Sequence, residues 1–347
     1  MNNQAFIAVI DSGSLQARGE VDNTGTIALT GIAMGSTLTV LAGNLTLTGG
    51  GVVSLGDFAG NAIFAAASTG TLTNVDNTIS GDGFLGNGQL TLVNQSGGVI
   101  RETGSSGLII DTGGSTITNA GLIESSGQGG MTIDNAVTNT GVIENDGAGG
   151  MIVNGPVKNT GRIIVDGGTL AIYEAVSGNG TATIKNGTLK FGAAFNEDVN
   201  FTTQSGILEL AQSQSYTKTV TGIAINGGGD FLELDDISFV SADEASYVDN
   251  GMHTGGVLTV TDGTHSAHIK LVGDYRPSGF GVQSDGNGGV NVFYSTLPTA
   301  PPRTATSGRF VAAMASLGSE AVGVAHLSGR GDYAHPTMLS VPRMAMA

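Results

Sequence analysis

Thr116-Ile117-Thr118-Asn119-Ala120-Gly121-Leu122-Ile123-Glu124, Ala136-Val137-Thr138-Asn139-Thr140-Gly141-Val142-Ile143-Glu144 and Pro156-Val157-Lys158-Asn159-Thr160-Gly161-Arg162-Ile163-Ile164 are three rows of one pattern. Their asparagines, Asn119, Asn139 and Asn159, are evenly spaced. A second unit recurs between the rows, Gly129-Gly130-Met131 with Ile133 and Gly149-Gly150-Met151 with Val153. A fixed period of about 20 residues marks a solenoid. Apolar and polar residues alternate inside each row, so the segments are strands and not helices. The repeat is therefore one coil of an all-β, right-handed parallel β-helix. Each coil is expected to hold three short strands, carrying Gly-Gly-Met-x-Ile, x-Val-x-Asn and Gly-x-Ile-Glu. Ile117, Val137 and Val157 should stack on one another, as should Ile123, Ile143 and Ile163, with about 4.8 Å between coils.

The pattern extends outward from these rows. Asn23-Thr24-Gly25-Thr26-Ile27 is an early copy, and Thr71-Leu72-Thr73-Asn74 and Thr91-Leu92-Val93-Asn94 place two more asparagines one period apart. The step from Asn94 to Asn119 is longer than the period, which implies a loop inserted around Gly104-Ser105-Ser106-Gly107. Residues 1–225 thus read as about eleven coils, on the order of 50 Å of solenoid. Past Gly178 the repeat loosens. Residues 226–295 lose the register, gather acids and aromatics, and read as a C-terminal β module that caps the stack or continues it irregularly. An open last coil would leave an unpaired sheet edge, so an atypical end is expected. Residues 296–347 read as a Pro-rich linker, a short helix capped by Ser307, and a disordered tail.

The 347 residues include 58 Gly and 7 Pro but no Cys and no Trp, with a formal net charge of −16. So much glycine without a three-residue period excludes collagen. An acidic chain with 13 Lys+Arg repels nucleic acid and anionic membranes, so neither is expected as a partner. Lack of Cys excludes disulfides and thiolate zinc sites. No apolar run reaches the length of a membrane-spanning helix. The start, Met1-Asn2-Asn3-Gln4-Ala5-Phe6-Ile7, lacks the basic opening and long apolar core of a signal peptide. It enters the pattern with no polar cap, as a fragment of a longer protein would.

The Asn-Thr-Gly-x-Ile rows at 139–143 and 159–163 resemble the passenger coils of bacterial autotransporters and filamentous adhesins. The stretch from Gly255 to Val292, with Leu258-Thr259-Val260-Thr261-Asp262-Gly263, Gly273-Asp274-Tyr275, Phe280 and Asp285-Gly286-Asn287-Gly288-Gly289, is similar to a C-terminal module of such β-strand-repeat exoproteins. The resemblance covers about residues 20–295. It implies a non-enzymatic structural or adhesive segment of a secreted or cell-surface protein, a stiff acidic stalk that meets a host or abiotic surface, a glycan or its own copies. No translocator barrel follows residue 295, and the remaining residues better match the C-terminal signal of type I secretion.

Several residues bear on chemistry. Asn74, Asn94, Asn119, Asn139 and Asn159 form a column expected to hydrogen-bond along the coils as a structural ladder. Glu124 and Glu144 should stack with Arg101 one coil earlier, a solvated charged face rather than a reacting pair. No third acid or Lys/Arg cluster is expected to join them in the neighbouring coils. The alternative to a scaffold is a carbohydrate-active β-helix enzyme, which needs acids clustered across neighbouring coils and usually an aromatic platform. Gly227-Gly228-Gly229-Asp230-Phe231-Leu232 echoes the calcium-binding nonapeptide of type I secreted proteins. With Asp235 and Asp236 close by in sequence, Asp230 is a candidate calcium ligand, and a calcium-stabilised repeat protein is a further alternative. His265 and His268, three apart on an expected strand, face opposite sides and should not share a metal. Arg330-Gly331-Asp332 is a short adhesive-type tripeptide of the sort that arises often by chance.

Overall fold

The computed structural model describes residues 1–67, 70–224, 229–276 and 279–295. The expected helix after Ser307, the tail, Arg330-Gly331-Asp332 and Gly227-Gly228 lie outside the described residues. The chain winds a parallel β-solenoid of about 11 turns with coils of about 20 residues. Strands of successive coils align into three columns. An asparagine column contains Leu90–Asn94, Ile117–Asn119, Val137–Asn139 and Val157–Asn159. An isoleucine column contains Val99–Glu102, Leu122–Ser125 and Val142–Asn145, and a methionine column contains Leu108–Ile110, Met131–Ile133 and Met151–Val153. All of these pair in parallel, with Asn119 opposite Asn139 and Asn139 opposite Asn159.

Alternation within each strand decides which side chains enter the interior. In the isoleucine column Ile27, Val53, Ile79, Ile100, Ile123, Ile143 and Ile163 lie in register and are almost wholly buried. Leu108, Met131, Met151, Leu170, Leu189 and Leu208 form another interior row in the methionine column. The core is thus a narrow stack of aliphatic side chains, each held by its counterparts above and below. Tight corners demand glycine. A Cβ on Gly141 would run into the Gly121 carbonyl oxygen, and one on Gly161 into that of Gly141.

Not every coil keeps three separate strands. Arg162–Ile172 runs unbroken from the isoleucine into the methionine column, with register shifts at Asp166. Thr37–Thr48 likewise joins the methionine and asparagine columns. The inserted loop sits where the sequence placed it. The offset between paired residues grows from 21 at Ser80 and Arg101 to 25 at Phe84 and Ile109. Beyond Gly178 aromatic rings thicken the core, where Phe191 stacks on Phe195 with ring centroids 3.6 Å apart.

The C-terminal part closes the stack by reversing strand direction. Phe231–Leu234 still pairs in parallel with the coil before it, but its other edge pairs antiparallel with Val290–Ser295. Ser266–Val272 pairs in parallel with Thr219–Thr221 and antiparallel with Gly255–Thr261. These antiparallel strands cover the edge that a further coil would otherwise need. Tyr275 packs edge to face against Tyr247 and Tyr294, with the Phe280 ring tilted against Tyr275 and Tyr294. Among the described residues no helix is long and apolar enough to cross a membrane.

Candidate functional site

The five asparagines of the ladder are each fully buried and joined in a chain. Nδ2 donates to Oδ1 of the next coil from Asn74 to Asn94 (2.9 Å), Asn94 to Asn119 (2.8 Å), Asn119 to Asn139 (2.7 Å) and Asn139 to Asn159 (2.8 Å). The second Nδ2 proton reaches a backbone carbonyl of the following coil, Leu122 from Asn94 and Val142 from Asn119. Those carbonyls fix which way each amide faces. The chain is longer than its five-member sequence pattern: Asn3 donates to Asn23 (2.7 Å) and Asn23 to Asn77 (2.8 Å). The Asn77 backbone amide then donates to Asn74 Oδ1 at 3.1 Å, linking the two runs. At the other end Asn159 donates to the buried carboxylate of Glu197 at 2.6 Å. Burial pushes the Glu197 carboxyl up, against hydrogen bonds from Asn159 and the Gly180 amide. The ladder amides spend their hydrogen bonds on the fold itself, so the column is structural in its contacts.

Glu124 and Glu144 do lie opposite each other, with Arg101 opposite Glu124 and ion-paired to it. Burial raises the Glu124 carboxyl, and Arg101 opposes that rise. The expectation that no third acid or Lys/Arg cluster joins the pair is corrected by Lys185 and Asp166: Lys185 Nζ sits 3.2 Å from Glu144 and 3.1 Å from Asp166. A strand that crosses a corner without breaking brings Lys185 onto this face. Val99, Leu122, Val142, Glu144, Arg162 and Lys185 line a shallow groove of about 520 Å³.

The candidate calcium ligands are dispersed. Asp230 is buried, and its carboxylate accepts the Gly206 and Ala224 amides at 2.8 Å each. Asp236 accepts the Ser213 amide at 3.0 Å and the Gln214 amide at 3.2 Å, holding a turn. Asp235 instead meets Glu209 and Glu233, with carboxylate oxygens all within 4.8 Å. Burial, and then the Glu209 charge, push the Asp235 carboxyl up to about 6. Lys190 contacts Glu209 and supplies one positive charge there. These three acids could hold a hard cation or share a proton. Sequence spacing hid them because Glu209 and Glu233 pair across a coil longer than the repeat. His265 stands in the turn before Ser266–Val272, 2.9 Å from Asp262, and His268 contacts Thr259 at 3.0 Å.

A second interior polar row had no sequence signal. Glu102 lies opposite Ser125 and Ser125 opposite Asn145, and all three are fully buried. Ser125 Oγ donates to Glu102 Oε2 at 2.9 Å, while Glu102 Oε1 and Asn145 Oδ1 have no partner. A comparison with protein-family models finds no match for the chain, nor does a comparison with curated proteins.

Proposed function

We propose that the chain is a structural or adhesive segment of a bacterial secreted or cell-surface protein, a non-enzymatic solenoid that presents an acidic surface outside the cell. The observation that carries this reading is the ladder: a column of buried amides and stacked aliphatic rows, closed by antiparallel strands at one end. Such a structure spends its polar groups on its own coils and gains stiffness and resistance to proteolysis, which suits an extracellular stalk. The net charge of −16 keeps it soluble and unattractive to nucleic acid. Glycan and matrix arrays probed with the intact chain test the adhesive part, where selective retention on a glycan or matrix protein is expected. Uniform failure to bind would leave only the scaffold.

One observation favours a second reading, a carbohydrate-active enzyme. Glu209, Glu233 and Asp235 are the acids across neighbouring coils that such an enzyme needs, and a carboxyl near 6 suits proton donation. Release of reducing or unsaturated sugar from acidic and neutral polysaccharides, abolished by Asp235→Asn, would replace the scaffold reading.

A further inference from the structure

We propose that Asn287 is a site of covalent modification, where the Gly288 main-chain nitrogen displaces the side-chain amide and water then leaves aspartate or isoaspartate in its place. Asn287 and Gly288 are exposed in the turn between Gly279–Ser284 and Val290–Ser295. The base of the turn is pinned, because the Asp285 amide donates to the Gly289 carbonyl oxygen at 3.2 Å. The Asn287 main-chain amide donates to Asp285 Oδ1 at 2.7 Å. Beyond that the tip is loose. Among the described residues neither the Asn287 side chain nor the Gly288 amide has a hydrogen-bond partner. A Cβ on Gly286 or on Gly288 would meet nothing within 4 Å, so the space around the tip is open.

The other described Asn-Gly pairs are each restrained, and the contrast singles out Asn287. The amides of Gly88 and Gly180 donate to the carbonyl oxygens of Asp111 (2.8 Å) and Asn159 (3.2 Å), and that of Gly251 to Asp249 Oδ1 (2.7 Å). Asn154 Nδ2 is held by Asp134 Oδ1 at 2.7 Å, and Gly155 behind it is buried. Asn186 lies inside the strand Thr181–Phe191, with Nδ2 on Asp166 at 3.1 Å and Oδ1 accepting from Ser205 Oγ at 2.7 Å. Each of these pairs must open locally before its nitrogen can turn toward the side chain. Asn226-Gly227 lies outside the described residues.

Asparagine is one of the thermally labile side chains. A following glycine puts no side chain beside the attacking nitrogen and leaves the main chain free to rotate. The Gly288 nitrogen gives up its proton and bonds to Asn287 Cγ. The Cγ–Nδ2 bond breaks, and Nδ2 takes up a proton and leaves as ammonia. Water then opens the five-membered imide. Addition at Cγ restores the ordinary main chain with aspartate, whereas addition at the Asn287 main-chain carbon routes the chain through Cβ and Cγ as isoaspartate. No oxidant or reductant is needed. Either product adds a negative charge two residues from Asp285, whose own charge helps to raise the Glu233 and Asp235 carboxyls. Isoaspartate also lengthens the turn that leads into the strand closing the last coil. The inference rests on neither the scaffold nor the enzyme reading.

Peptide mapping by mass spectrometry tests it, on the full chain held folded in mildly alkaline buffer made with heavy-oxygen water. The Asn287 peptide is expected to convert severalfold faster than those holding Asn87, Asn154, Asn179, Asn186 and Asn250, to aspartate and isoaspartate that carry the heavy oxygen. In urea, with the restraints gone, those pairs are expected to approach the rate of Asn287. Conversion of any of them as fast as Asn287 in the folded chain would overturn the site. So would an Asn287 that stays intact while the unfolded chain converts, or a product without the heavy oxygen.

Discussion

Replacing Asn139 by alanine removes a donor and an acceptor from the middle of a buried chain. Asn119 loses the acceptor at 2.7 Å, and Asn159 and the Arg162 carbonyl lose their donor. Each buried polar group left short costs roughly 1–3 kcal/mol, so Asn139→Ala should destabilise by about 3 kcal/mol in urea unfolding. Glu197 predicts a pH effect. Its carboxyl is raised in the fold, so the stability it contributes is full below the unfolded value and fades as pH climbs through the folded one. Glu197→Gln removes the buried charge but keeps only one of the two oxygens that accept from Asn159 and the Gly180 amide, so it starts below the parent at acid pH. The variant should gain on the parent as pH rises above roughly 4, by on the order of 1 kcal/mol at neutrality, and melting curves across pH check this. Five ladder residues were legible because they recur at near-constant spacing. Asn23 was legible as part of an early row but not as a rung of the ladder, because Leu47 takes the position opposite Asn74 and Asn23 reaches past it to Asn77.

At the level of the coil, close stacking sets the tolerance for side chains. Gly141→Ala drives a methyl into the Gly121 carbonyl and should unfold or markedly loosen the neighbouring coils. Gly114→Ala meets nothing within 4 Å and should leave the stability within about 0.5 kcal/mol of the parent. A pair of melting curves separates the two. Periodicity located the strands, their interior faces and the inserted loop, since all three follow from counting along one chain. It could not tell the direction of a partner strand. Gly255–Thr261 alternates like any coil strand, yet pairs antiparallel because its neighbours are joined by short turns and not by a full circuit. Lys185 escaped notice for a related reason: Thr181–Phe191 crosses a corner as one strand, so its charge falls outside the row that the repeat defines.

Across the described solenoid, coils pair with their immediate neighbours, so stability should be distributed along the stack rather than concentrated in one core. Amide hydrogen exchange is expected to be slowest in coils flanked on both sides, such as Val137–Asn139 and Val142–Asn145, and fastest in Asn2–Asn3 and Phe6–Val9, which pair on one side only. Equal protection from end to end would contradict a nearest-neighbour stack. The amide chain adds a property that no single coil has. From Asn3 to Asn159 each side-chain amide-to-amide bond is donated toward higher residue numbers and accepted from lower ones. Aligned bond dipoles of this kind sum, as they do along a helix axis. The interior filament is therefore electrically polar, and the Glu197 carboxylate stands at its positive pole as a built-in counter-charge.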